Sequence, residues 1–185
     1  QRTFNWAHIV PGYVLPTGTM QSGGGAYGWY VDQLCGGEGA EAEKRGVSVY
    51  DILEEELEKS PPGSRGLLFL PYLMGERSPR WNPDARGAFI GIGMEHTRGD
   101  FLRAVQEGVA MNLNIVLEVF KSHGQRLRSM AVVGGGAKSR SWQQTLADVY
   151  GLKLEIPELL DEAASMGAAI TAGVGAGLFK DFDAA

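Results

Sequence analysis

The sequence predicts an α/β domain with a mixed sheet flanked by helices. Three observations predict it. Short apolar runs, such as residues 67–70 and 130–133, alternate with longer stretches of three-and-four apolar spacing. Pro11 and Gly12 divide two aromatic and β-branched segments at the front of the chain. An apolar run, three glycines and a helical pattern follow one another directly across residues 130–149.

Taken in order, residues 4–10 and 13–15 read as the strands of a hairpin about the Pro-Gly turn. His8 is a candidate catalytic group there, against the commoner structural role of a lone strand histidine. Gly23, Gly24 and Gly25 then precede a helical pattern with Trp29 and Leu34 among its apolar positions. The triplet fits two readings equally: backbone left bare for a ligand, or a helix start packed tightly on a neighbour. Cys35 ends this helix and has no histidine nearby to activate it, so it reads as a packing residue. Residues 36–39 read as a loop and residues 40–45 as a polar connector.

Ser48 with Asp51 three residues on is a capping-box arrangement. It starts a helix with Val49, Ile52, Leu53 and Leu57 as the buried stripe. Glu54, Glu55, Glu56 and Glu58 read as its solvated face, not as paired catalytic carboxylates. Pro61 and Pro62 end it. Residues 67–70 read as a buried strand from their unbroken apolar run, and residues 88–92 return as another. Between them, residues 71–87 form a long polar segment with three prolines, of a length often functional in ordered loops.

Thr97 with Asp100 caps the longest helix, whose core stripe is Leu102, Val105, Val109, Leu113, Val116 and Phe120. Gly124 is placed to end it. Of Asn112 and Asn114, the buried one is expected to bond a partner helix. The strand at 130–133 leads into Gly134, Gly135 and Gly136, then into a helix with Trp142, Leu146 and Val149 on one face. Glycines let backbone approach a bulky ligand, and a helix N-terminus adds N–H groups and a positive dipole end, which suits a nucleotide. A plain strand–helix turn fits these residues as well. The stretch is neither G-x-G-x-x-G nor a P-loop. Residues 152–156 alternate as a strand. A last helix of mostly small residues starts at Asp161 or Glu162 and can approach another backbone closely.

Composition narrows the function classes. A chain of 185 residues suffices for one domain with a real core. Seventeen Lys and Arg against 22 Asp and Glu give a net charge of −5. That argues against a nucleic-acid surface, which needs a basic patch. No apolar run reaches the length of a membrane span. Cys35 is the single cysteine, so no internal disulfide forms. With no signal-like start, a reducing cytoplasm is the expected location.

Together the motifs resemble a known family. Leu70-Pro-Tyr-Leu-Met-Gly-Glu-Arg-Ser-Pro79 and Asn82-Pro-Asp-Ala-Arg-Gly-Ala-Phe-Ile-Gly91 are similar to the second domain of the FGGY family of sugar kinases. So are Gly134-Gly-Gly-Ala-Lys-Ser139, with Trp142, Gln143, Ala147 and Asp148 behind it, and Glu162-Ala-Ala-Ser-Met-Gly-Ala-Ala169. These blocks keep the family's order and rough spacing from about residue 4 to residue 177.

The resemblance implies an actin-like ATPase, ribonuclease-H-like fold, with residues 1–185 as the nucleotide-binding half of a two-domain carbohydrate kinase. It implies ATP with Mg²⁺ as cofactor and a sugar hydroxyl as acceptor. D-xylulose comes first, with gluconate, ribulose and glycerol as alternatives. Gly135, Gly136 and Ala137 would lie against the adenosine and Arg140 near the adenine. Gly24 and Gly28 would line the other side of the nucleotide. The small-residue helix would pack behind the adenine pocket. Glu76 and Arg77 would form an ion pair or fix their loop.

No catalytic residue and no metal ligand is assigned in this chain. The aspartate that accepts the sugar proton and the Asp-x-Gly-Thr phosphate loop belong to the N-terminal, sugar-binding domain, which is absent. A second phosphate turn would come just before Gln1. The chain alone is therefore expected to hold nucleotide without phosphorylating sugar, and sugar is reached only through the absent domain. No nucleic-acid or membrane partner is expected, and a homodimer stays open. A non-catalytic nucleotide-binding module of the same fold is the rival from another class. A nicotinamide-dependent oxidoreductase lacks its fingerprint here.

Overall fold

The structure, a computed structural model, describes residues 3–185. β1 (Phe4–Ala7) and β2 (Val14–Thr17) pair antiparallel about the Pro-Gly turn, as the hairpin reading requires. β3 (Leu68–Leu70) and β4 (Ala88–Ile90) are also antiparallel, with Phe69 opposite Phe89. β5 (Ser129–Ala131) and β6 (Lys153–Glu155) are parallel. Both strand directions occur, but among the described residues no ladder joins the three pairs into one sheet.

The helices supply most of the core. α4 (Arg98–Ser122) runs through its centre, with Leu102, Val105 and Val109 fully buried. Against it pack Leu53 and Leu57 of α3 (Val49–Leu57), Leu67, Phe69 of β3, and Tyr27 and Tyr30 of α1 (Gly23–Leu34). Trp142 and Leu146 of α5 (Arg140–Tyr150) close the cluster. Each such side chain contributes roughly 1.5–3 kcal/mol on burial, so the cluster fixes how the helices sit. α4 approaches its neighbours closely at glycines. A Cβ on Gly108 would stand 2.3 Å from the Phe69 carbonyl oxygen, and one on Gly99 2.5 Å from that of Glu56.

Both capping boxes form. Asp51 N–H donates to Ser48 Oγ at 3.1 Å and Ser48 N–H donates back to the Asp51 carboxylate at 2.8 Å. Thr97 and Asp100 repeat the pattern, and Asp100 is fully buried with Ser60 Oγ donating to it at 2.6 Å.

Several expectations are corrected. Residues 38–45, read as loop and connector, form the helix α2 (Glu38–Arg45). Gly37 and Gly46 at positive φ bracket it, acids open it and Lys44 and Arg45 close it, which matches the helix dipole. In α1 the buried face is Ala26, Tyr27, Tyr30 and Val31, whereas Trp29 and Leu34 are exposed. That helix is apolar on most sides, so periodicity does not select the face that α4 covers. The run at 67–70 is buried on one side only: Phe69 is inside and Leu68 is 49% exposed.

Three of the four glutamates of the supposed wet face have protein partners. Glu55 pairs with Arg45, Glu56 with Arg98, and Glu54 with the segment before α5. α6 (Ala163–Gly175) buries little of itself. Its side chains are mostly exposed and only Gly173 is buried, beneath Phe179. Its alanines and glycines carry too little apolar area per turn to fix a packing partner.

Candidate nucleotide site

The glycine turn sits where β5 ends. Gly134 adopts φ 90° and ψ −173°, a conformation essentially reserved for glycine. A tight 3-10 turn follows over Gly135–Lys138, held by Gln143 Nε2 donating to the Ala137 carbonyl at 2.6 Å. Ser139 then caps α5, its Oγ accepting from Trp142 N–H at 3.1 Å. The turn thus lies at the carboxyl end of a parallel strand, the usual ligand side of α/β sheets.

The two glycine segments have bare backbone. A Cβ built on Gly24, Gly28, Gly134 or Gly135 meets nothing within 4 Å. These glycines are therefore not explained by close packing, unlike Gly99 and Gly108. Gly136 differs, since its Cβ would rest 3.5 Å from the Trp142 indole. Ala137 is buried. Ser22 makes no side-chain cap on α1, and no acidic residue stands in its first turn. That leaves the first N–H groups and the positive end of a 12-residue helix free to meet an anion.

An aromatic contact joins the segments. Tyr27, next to Gly28, meets Trp142 edge-to-face with ring centroids 5.1 Å apart, and Trp142 lies under Gly136. Burial pushes the Tyr27 phenol well above its ordinary range, and the nearby Glu54 carboxylate adds to the shift. Tyr27 therefore stays neutral.

Arg140, just outside the turn, is exposed and lines a recess of about 600 Å³ between α4 and α5, with Arg103, Glu107 and Asp148. His8 is also outside the site: its Nδ1 accepts from Val10 N–H at 3.0 Å within the hairpin turn, a structural role.

The 71–87 loop fixes the approach to α1. Glu76, buried, makes no ion pair with Arg77; its carboxylate accepts from Gln21 N–H at 3.1 Å and Arg77 N–H at 2.6 Å, and in a short bond from Asn112 Nδ2. Tyr72 Oη donates to Asn112 Oδ1 at 3.2 Å and Ser78 N–H to the Thr19 carbonyl at 3.0 Å. Asn112 is thus the buried asparagine, and its partners lie on this loop rather than on a helix. Among the described residues no group of three or more His, Cys, Asp or Glu is arranged to hold a metal ion. Nor is any helix among them long and apolar enough to cross a membrane.

The residue that reading of the sequence missed is Glu54. Ser139 Oγ donates to it at 2.6 Å and Ser141 N–H at 2.7 Å. No local signal marks it among its neighbouring glutamates, because its partners lie 85 and 87 residues away.

The arrangement of strands and helices is that of the actin-like, ribonuclease-H-like class. A solved xylulose kinase from Rhodospirillum rubrum shares the fold, with a TM-score of 0.77 at 32% identity over 95% of this chain and 33% of that one. The model of the FGGY family of carbohydrate kinases, C-terminal domain, matches residues 4–176, and the chain belongs to that family. It is 36% identical to a gluconokinase of Bacillus subtilis over 168 residues, covering 90% of this chain and 33% of that protein. It is 44% identical to a xylulose kinase of Staphylococcus epidermidis over 124 residues, covering 67% of this chain and 25% of that protein. The chain therefore spans a third or less of the length of these relatives.

Proposed function

We propose that this chain is the nucleotide-holding side of an ATP-dependent sugar kinase. The observation that carries the reading is the pair of bare glycine segments, Gly24 with Gly28 and Gly135 with Gly136, supported by one Tyr27–Trp142 contact. Adenosine would lie along Gly135, Gly136 and Ala137. The phosphates would meet the free N–H groups opening α1. Arg140 would reach the adenine only by turning its side chain out of the recess.

When bound, ATP supplies the γ-phosphoryl group for a sugar hydroxyl. Mg²⁺ would be carried chiefly by the phosphate oxygens, since the described residues offer no ligand cluster of three or more His, Cys, Asp or Glu. Phosphoryl transfer relies on positioning and charge stabilisation from both sides of a cleft. This chain's residues hold and orient the nucleotide; the proton acceptor for the sugar lies on a separate, N-terminal domain. D-xylulose is the proposed acceptor, favoured by the 44% identity to a xylulose kinase. Gluconate is the second reading, favoured by the 36% identity to a gluconokinase. The setting is the cytoplasm, where the unpaired Cys35 stays reduced.

The test is thermal unfolding with ATP–Mg²⁺ against NAD, because only a ligand that prefers the folded state raises the midpoint. ATP should raise it and NAD should not. Gly135→Val is the variant of choice: its side chain enters open space, whereas one on Gly136 would crowd Trp142. It should keep the unliganded midpoint and lose the ATP shift. An undiminished shift would move the site elsewhere.

A further inference from the structure

We infer that Glu54 is a positioning residue for the nucleotide turn, acting through Ser139 and Ser141 on the backbone of Gly135–Lys138. The inference rests on the nucleotide reading above. α3 carries Glu54 to the point where α1 and α5 meet. Its two carboxylate oxygens are used separately: Oε2 takes the Ser139 hydroxyl at 2.6 Å and Oε1 the Ser141 N–H at 2.7 Å. Ser139 is occupied on both sides, donating to Glu54 and accepting from Trp142 N–H. With Ser141 Oγ at 3.1 Å as well, the residue that ends the 3-10 turn and begins α5 is held by three contacts.

The same carboxylate lies close enough to Tyr27 to act on its phenol electrostatically. Glu54 thus reaches both the segment before α5 and, through space, the tyrosine of α1. Its negative charge also meets the N-terminal end of α5, where a carboxylate is favoured. Arg45, Lys44 and Arg98, the cations of neighbouring helices, pair with other groups or stand free of it. The carboxylate is therefore committed to the turn.

A solvated surface glutamate could be replaced without consequence. A glutamate that orders the turn cannot: without it the 3-10 turn must be ordered by the nucleotide itself, which weakens binding without touching any sugar contact. Loss of a charge-assisted bond of this kind moves an equilibrium by roughly tenfold.

The experiment uses the full-length polypeptide that carries this chain, with steady-state kinetics in ATP and in sugar. Glu54→Ala should raise the ATP KM about tenfold and leave the sugar KM unchanged. Glu54→Gln retains one acceptor oxygen and should fall between the two. Both variants reproducing the wild-type ATP KM would overturn the proposal. So would a Glu54→Ala variant in which ATP and sugar KM rise together with a lowered midpoint, for that marks a residue serving the fold alone. Gly135→Val, run alongside, separates the two claims. An unchanged ATP KM in Gly135→Val refutes the nucleotide reading itself, whereas a raised one with a silent Glu54→Ala refutes only the role given to Glu54.

Discussion

Gly28 and Gly108 make the same substitution give opposite results. Each is a glycine inside a helix, and alanine in a helix interior is favoured over glycine by roughly 0.5–1 kcal/mol. At Gly28 nothing opposes that gain, since the new Cβ meets no atom within 4 Å. Gly28→Ala should therefore be stabilised by that amount, a midpoint rise of about 1–4 °C for a chain of this size. At Gly108 the Cβ would stand 2.3 Å from the Phe69 carbonyl oxygen and 3.2 Å from the Phe69 Cβ, so β3 or α4 must move. Overpacking of this kind costs about 1–3 kcal/mol, which exceeds the helix gain. Gly108→Ala should be destabilised by up to about 2 kcal/mol. Urea denaturation with circular dichroism gives both values, and calorimetric titration with ATP supplies the functional half. If nucleotide lies over α1, the methyl that stabilises Gly28→Ala must weaken ATP binding, by about tenfold for a cost near 1.4 kcal/mol. A stabilised Gly28→Ala with wild-type ATP affinity would refute the placement of nucleotide on α1. A stabilised Gly108→Ala would refute the close approach of α4 and β3.

Two further outcomes follow from buried carboxylates. Burial alone would raise the Asp100 pKa, but hydrogen bonds from Ser60 and Thr97, with the Arg65 charge, hold it below the ordinary carboxylate value. A depressed folded pKa gives stability that is present above the unfolded value near 4 and lost as pH falls through the folded one. The stability difference between wild type and Asp100→Asn should be constant from pH 6 to 8 and shrink below about pH 4; a difference that grows there refutes the assignment. Glu76→Gln places an amide NH₂ among three N–H donors and should cost about 1–3 kcal/mol, with faster amide exchange at Gln21. Wild-type stability in that variant would show that the loop is not held by the Glu76 charge.

The parts of this fold that were legible in the sequence are those decided within a few residues. Ser48 with Asp51 and Thr97 with Asp100 fix two helix starts by bonds that span three residues. Gly134 to Gly136 marks a turn because it stands between an apolar run and a helical pattern. What was not legible depends on partners far along the chain. α2 has only Glu38 and Ala42 inside, and it is tied down by Arg98, 60 residues away. Trp29 looked like core because it is large and apolar, yet Tyr30 faces Phe89 and takes the buried place. Asn112 was recognised as the kind of residue that needs a buried partner, but not that the partner is Glu76. Arg140 is assigned near the adenine by the resemblance alone, and no local pattern tells that it lines the recess beside α4.

The hold of the 71–87 loop on Gln21 has a consequence for chain length. A loop without regular strands would ordinarily absorb insertions and deletions. Here Glu76 fixes Gln21 and Ser78 fixes Thr19, just before α1 begins. A one-residue change in the register of that clamp would turn the helix by about 100°, since a turn holds 3.6 residues. The bare backbone at Gly24 and Gly28 would then point in a different direction. The least regular stretch of the chain sets the azimuth of α1.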